Sequence, residues 1–275
     1  MRKMLTQESI ERFEKDGYIS PVRVISEVQA NAYRQKLEAY ERSSGGLISG
    51  KYRFKLHLLF QWADELVRNE KILDAVEDLL GPNILCWNTN LFVKEAGDSK
   101  FVAWHQDSPY QGMSESEGVA AWVALAPSTV ENGALRVIPG SHLFGDVTHT
   151  ETDDERNMLM RHQVVTVDVN EDDAKHLVLK PGEMSIHHTR IFHASAPNAS
   201  DDRRIGLSIR YIPTHIRQVA GFHDTVALVR GVDEYGHYEH EPRPPADFDP
   251  EMLAIHRRYA EGQAKNLTQD LQAAR

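Results

Sequence analysis

His105 and Asp107 stand two residues apart in Trp104-His105-Gln106-Asp107. On a β-strand that spacing projects both side chains from one face, with roughly 7 Å between Cα atoms. An imidazole and a carboxylate so placed suit two positions of an octahedral metal ion. In a chain with 14 histidines, about one His-x-Asp triplet arises by chance, so the triplet needs support from elsewhere. A segment far along the chain supplies it: Ile186-His187-His188-Thr189-Arg190-Ile191-Phe192-His193-Ala194-Ser195-Ala196-Pro197-Asn198, followed by Arg203-Arg204. A histidine from that segment, joined to His105 and Asp107, makes the two-histidine, one-carboxylate triad that leaves three coordination positions open, as an iron oxygenase requires. A structural zinc site would instead be closed by four protein ligands. The single cysteine, Cys86, cannot build a thiolate site, and between Leu85 and Trp87 it reads as a small buried apolar side chain.

The elements that must position these residues divide the chain into three stretches. At 275 residues one large core with helical embellishment is expected, a single domain over 1–275. Residues 1–82 read as a helical layer. Ser26 and Gln29 form a capping box before a helix that ends at Gly45-Gly46. A second helix starts at Asn69, carries Ile72, Leu73, Val76 and Leu79-Leu80 at helical spacing, and stops at Gly81-Pro82. Over 83–213 the apolar period shortens toward two and turn signals multiply, the pattern of an antiparallel sandwich or barrel. Within it, Asn132-Gly133 predicts a tight turn joining 120–126 and 134–138 as a hairpin. Residues 214–275 read as loop followed by a helix opened by Asp249-Pro250.

Formal charge is −10 with no long basic run, which argues against nucleic acid as a partner. The N-terminal residues lack a signal-peptide pattern and no window approaches ~18 consecutive apolar residues, so the expectation is a cytoplasmic protein with no membrane partner.

The motifs together carry a resemblance. Gly81-Pro82-Asn83-Ile84, the His105 to Asp107 triplet, Glu131-Asn132-Gly133-Ala134-Leu135, Ile138-Pro139-Gly140-Ser141-His142 and the segment from His193 to Arg204 resemble the phytanoyl-CoA dioxygenase (PhyH)-like family of Fe(II)- and 2-oxoglutarate-dependent oxygenases. The likeness runs from about Leu79 to Tyr211. It implies a mainly β fold, a double-stranded β-helix (jelly roll, cupin-like) behind the helical N-terminal layer. It also implies that His105, Asp107 and His193 hold Fe(II), and that Arg204, eleven residues past His193, pairs with the distal carboxylate of 2-oxoglutarate, a task for which a planar fork suits better than a lysine. Ser195 matches a position that hydrogen-bonds the same carboxylate. Asn90, Gln106 and Trp122 fall on positions that line the co-substrate pocket, and one basic residue among Arg53, Lys55 and His57 approaches it, Lys55 being the expected one. Arg203, by strand parity, points to solvent.

The implied reaction consumes 2-oxoglutarate and O2, with ascorbate as a supporting reductant in vitro, and yields succinate, CO2 and a hydroxylated C–H bond. Related halogenases carry a small residue where Asp107 stands, so hydroxylation is expected ahead of halogenation or desaturation. A non-catalytic metal-binding β-barrel is the reading from another class. Asn88, on the same face as Asn90, together with Tyr110 and Arg190, is expected to contact substrate; Arg190 and Arg210 are the arginines available to an anion, though both also read as surface charges. Without a concentrated basic patch, the expected substrate is a small polar metabolite, with small aminophosphonates and quaternary ammonium phosphonates suggested by the resemblance.

Overall fold

The computed structural model describes residues 2–219 and 224–273, with the side chains of Tyr110 and 264–273 outside the described set. Helices α1, α2 and α5 each start where a short polar side chain takes up free backbone N–H groups. Thr6 caps α1 (Gln7–Asp16), Ser26 caps α2 (Glu27–Ser44) through the N–H of Gln29, and Asn69 caps α5 (Glu70–Leu80). The short helices α3 (Leu56–Leu59) and α4 (Gln61–Val67) lie between the last two. Gly17 and Gly45 end α1 and α2 in the left-handed region. The expected boundaries of α2 and α5 are therefore found.

β1 (Tyr18–Arg23) follows α1. The core strands are β2 (Ile84–Lys94), β3 (Val102–His105), β4 (Val119–Ala124), β5 (Leu135–Val137), β6 (His149–Glu151), β7 (Gln163–Val165), β8 (Lys175–His176), β9 (Glu183–His188), β10 (His193–Ser195) and β11 (Arg204–Pro213). β12 (Thr225–Arg230), β13 (Glu239–His240) and α6 (Pro250–Ala273) complete the chain. Seven strands form one sheet in the order β1-β9-β4-β11-β2-β12-β13, and four form a second in the order β3-β10-β5-β8. The two sheets face each other as a jelly roll.

Three details depart from the sequence reading. β1, within the stretch read as helical, pairs with β9 at one edge of the large sheet. β12, within the stretch read as loop, pairs with β2 toward the other. The expected hairpin does not form: β4 belongs to the large sheet, whereas β5 pairs with β10 and β8 in the small one. The Asn132-Gly133 turn is present, with the Asn132 side chain accepting from Thr129 N and donating to Pro127 O. It serves a crossover between sheets rather than a hairpin, because the N–H groups of Leu125 and Ala126 bond to Ile205 O beyond the end of β4.

The large sheet is amphipathic across its thickness. On β11, Ile205, Leu207, Ile209 and Tyr211 join Val123, Met184, Ile186 and Leu91 in a core packed on the helical layer through Leu37, Phe60, Trp62 and Val76. The alternate residues Arg204, Gly206, Ser208 and Arg210 face the small sheet, and Asn88, Asn90 and Lys94 of β2 share that side through register pairs with Arg210, Ser208 and Arg204. One strand thus builds the core with one face and a polar interior with the other. Among the described residues no helix is long and apolar enough to cross a membrane. Leu207 is fully buried at the centre of the core; Leu207→Ala is expected to lower unfolding free energy by about 2–5 kcal/mol, read from the midpoint of chemical denaturation.

Candidate active site

His105 ends β3 and His193 opens β10, and the antiparallel pairing sets them directly opposite each other. Their rings lie 3.9 Å apart between centroids. His105 Nδ1 donates to the carbonyls of Ala103 (2.9 Å) and His193 (3.0 Å), and His193 Nδ1 donates to Ile191 O at 3.0 Å. A carbonyl only accepts, so each bond places the ring hydrogen on Nδ1 and leaves Nε2 with its lone pair free. Asp107 follows β3, its N–H bonded to Thr189 O, and its Oδ1 lies 3.7 Å from His105 Nε2. Donor atoms from all three residues fall within 4.8 Å of one another, and all three side chains are buried. A second trio of similar spacing, Glu115, Glu117 and His215, is mostly exposed.

Arg210 holds the Asp107 carboxylate from the opposite sheet, with Nε to Oδ2 at 3.0 Å and a terminal nitrogen to Oδ1 at 2.7 Å. Burial works against the charge on Asp107, but Arg210 outweighs it and keeps the carboxyl well below its ordinary range. Burial and the neighbouring His105 push His193 well below the usual histidine value, so its imidazole is neutral. His187, on β9, lies 4.8 Å from His193 between ring centroids, tilted by 47°, with neither ring nitrogen hydrogen-bonded, and burial pushes it down to about 4.

Further along the same interior face, Arg204 is buried with no carboxylate partner among the described residues. Its terminal nitrogen donates to Gly133 O, its guanidinium lies 5.0 Å from the centre of the Trp122 ring, and its Nε has no partner. Burial pushes it down to about 10. Trp122 reaches over Arg204 because Gly206 has no side chain: a Cβ there would sit 1.8 Å from the indole Cζ2. Ser195 approaches from β10 and accepts a 2.7 Å hydrogen bond from Lys94 Nζ. Asn90 and Ser208 lie in register beside Trp122, and Asn90 Oδ1 is buried without a partner.

The structure thus brings together His105, Asp107 and His193, and, beside them, Arg204, Ser195, Trp122 and Asn90. Two expected co-substrate contacts are corrected. Gln106 points away from the triad, because neighbouring strand residues face opposite ways; its amide bonds to Gly145 O, Arg190 O and Val147 N. Lys55 is enclosed by Trp87 O (2.7 Å), Thr225 O and Glu241 Oε1 (2.8 Å), and His57 bonds the other oxygen of Glu241 at 2.7 Å. Of the three basic candidates, Arg53 is the one without a carboxylate partner among the described residues.

Asn88 lies in register with Arg210, but Lys55 N and Tyr259 Oη occupy its amide. Arg190 sits half-exposed with its Nε 3.6 Å from Asp146. The side chain of Tyr110 lies outside the described residues. Arg203 is tied to Glu41 and Glu95, not pointed into solvent. The sequence reading missed the role of Arg210 and missed Lys94 altogether. Parity with Arg204, and with Asn88 and Asn90, was the signal available for both.

A sequence profile of the phytanoyl-CoA dioxygenase (PhyH) family matches residues 13–206. The chain belongs to the phytanoyl-CoA dioxygenase family. Among relatives, it is 30% identical over 185 residues to a "probable alpha-ketoglutarate-dependent hypophosphite dioxygenase" of Stutzerimonas stutzeri, a match covering 66% of this chain and 60% of the relative. The chain thus matches less than two thirds of that relative's length. A solved structure of the non-heme monooxygenase ThoJ in its apo form superposes with a TM-score of 0.85 at 36% identity, covering 96% of this chain and 99% of ThoJ. CytC3 with Fe(II) and alpha-ketoglutarate superposes with a TM-score of 0.66 at 27% identity, covering 90% and 96%.

The residues fit the cofactors of this family of iron- and 2-oxoglutarate-dependent dioxygenases. Two imidazole nitrogens and a carboxylate oxygen on one side of a point suit ferrous iron. The unpartnered Nε of buried Arg204 suits an incoming carboxylate, since a buried charge without a partner is otherwise costly. Arg210→Met should weaken Fe(II) affinity about 10–100-fold, because the carboxylate loses the group that orients it; anaerobic metal titration checks this. A proton dependence follows from His187. Its folded value, about 4, lies below the ordinary histidine value of 6.5, so the unfolded chain binds more protons between them. Stability of the metal-free protein should therefore fall as pH drops from about 6.5 toward about 4, and His187→Asn should flatten that part of the denaturation profile.

Proposed function

We propose that this chain is an Fe(II)- and 2-oxoglutarate-dependent hydroxylase that oxidises a C–H bond of a small polar metabolite, small aminophosphonates foremost, releasing succinate and CO2. The observation that carries the reading is a one-sided metal-donor set beside a buried guanidinium that lacks a counter-ion. A binding or storage barrel has no use for the second feature, whereas a dicarboxylic co-substrate uses both.

When bound, ferrous iron and 2-oxoglutarate supply the activation of dioxygen and the oxidation of the substrate. This chain's residues prepare the place. His105 and His193 present fixed Nε2 lone pairs, Asp107 presents an ionised carboxylate locked by Arg210, and Arg204 with Ser195 receives the distal carboxylate of the co-substrate under Trp122. The apolar outer face of the large sheet keeps water from the interior from behind. Because Asp107 supplies a carboxylate to the triad, no position is left vacant there for a halide, which favours hydroxylation over halogenation. Arg190, half-exposed beside Asp146, is assigned as a contact for an anionic substrate group at the rim, with Asn88, on the interior side, and Tyr110 as further candidates. The hypophosphite-oxidising relative supports a phosphorus-containing substrate.

A succinate-release screen with Fe(II) and ascorbate over organophosphonates, betaines, amino acids and acyl thioesters tests the reading. Turnover with an organophosphonate, giving a product heavier by one oxygen atom, is expected. Absence of succinate with every class, or a chlorinated product in the presence of chloride, would overturn it. Arg204→Ala should weaken co-substrate binding by about 2–4 kcal/mol, read as a raised KM for 2-oxoglutarate; an unchanged KM would show that another residue is the anchor.

A further inference from the structure

Lys94 is a second buried cation beside Arg204 that the chemistry above leaves unused. It is the last residue of β2 and pairs with Arg204 across the ladder, so both side chains enter the interior together. Its ammonium is fully enclosed and donates to Ser195 Oγ at 2.7 Å, to Ser195 O at 3.2 Å and to Ala196 O. No carboxylate among the described residues pairs with either Lys94 or Arg204. The charged groups acting on Lys94 are Arg204 on β11, Arg136 on β5 and Asp98 in the turn after β2; burial and then Arg204 push it down to about 6 against the attraction of Asp98. Two enclosed like charges without a counter-ion are stable together only when an anion arrives or one of them gives up its proton.

All three donors of Lys94 are engaged by Ser195 and Ala196, at and just past the end of β10, so it acts through Ser195 rather than by touching the co-substrate. A serine hydroxyl has one hydrogen. While Lys94 is an ammonium it donates to Oγ, and the serine hydrogen is free to turn to a carboxylate beside Arg204. Once Lys94 is a neutral amine, its lone pair takes the serine hydrogen, and Ser195 offers only lone pairs to an incoming anion.

We propose that Lys94 is a positioning residue for the co-substrate: it directs the Ser195 hydroxyl toward the distal carboxylate, and binding of that dicarboxylate draws a proton from solvent onto Nζ. This rests on the reading of Arg204 as the co-substrate anchor. The sign follows from linkage. An arriving negative charge raises the lysine's pKa above its value in the free site, so binding is coupled to proton uptake. Affinity is fully present below the free value, falls as pH rises through the window up to the bound value, and levels off beyond it.

The test is calorimetric titration of 2-oxoglutarate into the full chain saturated with Ni(II), a redox-inert stand-in for iron, in two buffers of different ionisation enthalpy from about pH 6 to about pH 8. The wild type should take up a large fraction of a proton per co-substrate bound and lose affinity by up to about tenfold per pH unit within the window. Lys94→Met should bind more weakly with no such uptake, and Lys94→Arg should restore affinity without uptake. Binding by the wild type without proton uptake, or uptake undiminished in Lys94→Met, would overturn the proposal. Should either variant fail to fold by circular dichroism, the two-buffer measurement on the wild type decides alone. A Ni(II)-loaded protein that binds no 2-oxoglutarate at all would overturn the proposed function and this inference with it, an outcome separate from binding without uptake.

Discussion

β3 and β10 pair so that His105 and His193 face each other across two antiparallel strands, and every other feature of the site is arranged around that register. Side chains alternate along a strand, so a slip of one residue would turn one imidazole away from the interior. The pairing also supplies the carbonyls that fix the rings: His193 O accepts from His105 Nδ1, so the bond that orients one ring comes from the backbone of the other. Asp107 cannot join the same ladder because it lies beyond the end of β3, and its place is set instead by Thr189 O and by Arg210.

Two arginines on one face of β11 have opposite electrostatic situations, and the difference separates their roles. Arg210 meets the Asp107 carboxylate, so burial does not strip its charge; the pair is neutral and persistent. Arg204, six residues earlier, meets a carbonyl, an indole face and a lysine. The first arginine keeps a carboxylate ionised and in place beside two imidazoles, and the second is left with a charge that no carboxylate among the described residues offsets. On the proposed function, that separation along the strand would let the metal and the distal end of a short dicarboxylate be held without competing for the same charge.

The outer parts of the chain close the large sheet at its edges. Glu241 receives Lys55 and His57 at 2.8 and 2.7 Å, and burial of this carboxylate is outweighed first by the Lys55 ammonium and then by His57, which hold it at about 2. Tyr259 of α6 bonds Asn88, the register partner of Arg210. The C-terminal stretch is thereby joined to the strand that faces the metal donors, while β1 and β12 flank β9, β4, β11 and β2 of that same sheet.

What the sequence determined by itself were features with local causes. Ser26 and Asn69 cap their helices because short polar side chains reach N–H groups two or three residues on, and the His-x-Asp spacing puts two donors on one side of whichever strand contains it. The jelly-roll class and the convergence of His105, Asp107 and His193 were legible because the motifs that carry them recur in a family with the same architecture. Tertiary structure decided the matters that depend on partners far away in the chain. Lys55 became structural because Glu241 reaches it, Arg210 became a holder of Asp107 because β11 crosses behind the triad, and Gln106 was turned to the 145–147 loop. The Asn132-Gly133 turn joined two sheets rather than two neighbours, and Lys94 entered the site because the β2–β11 register sets it against Arg204. The physical reason is common to them all: a charged or amide side chain is committed by the partner that desolvates with it, and local spacing says nothing about which distant strand brings that partner.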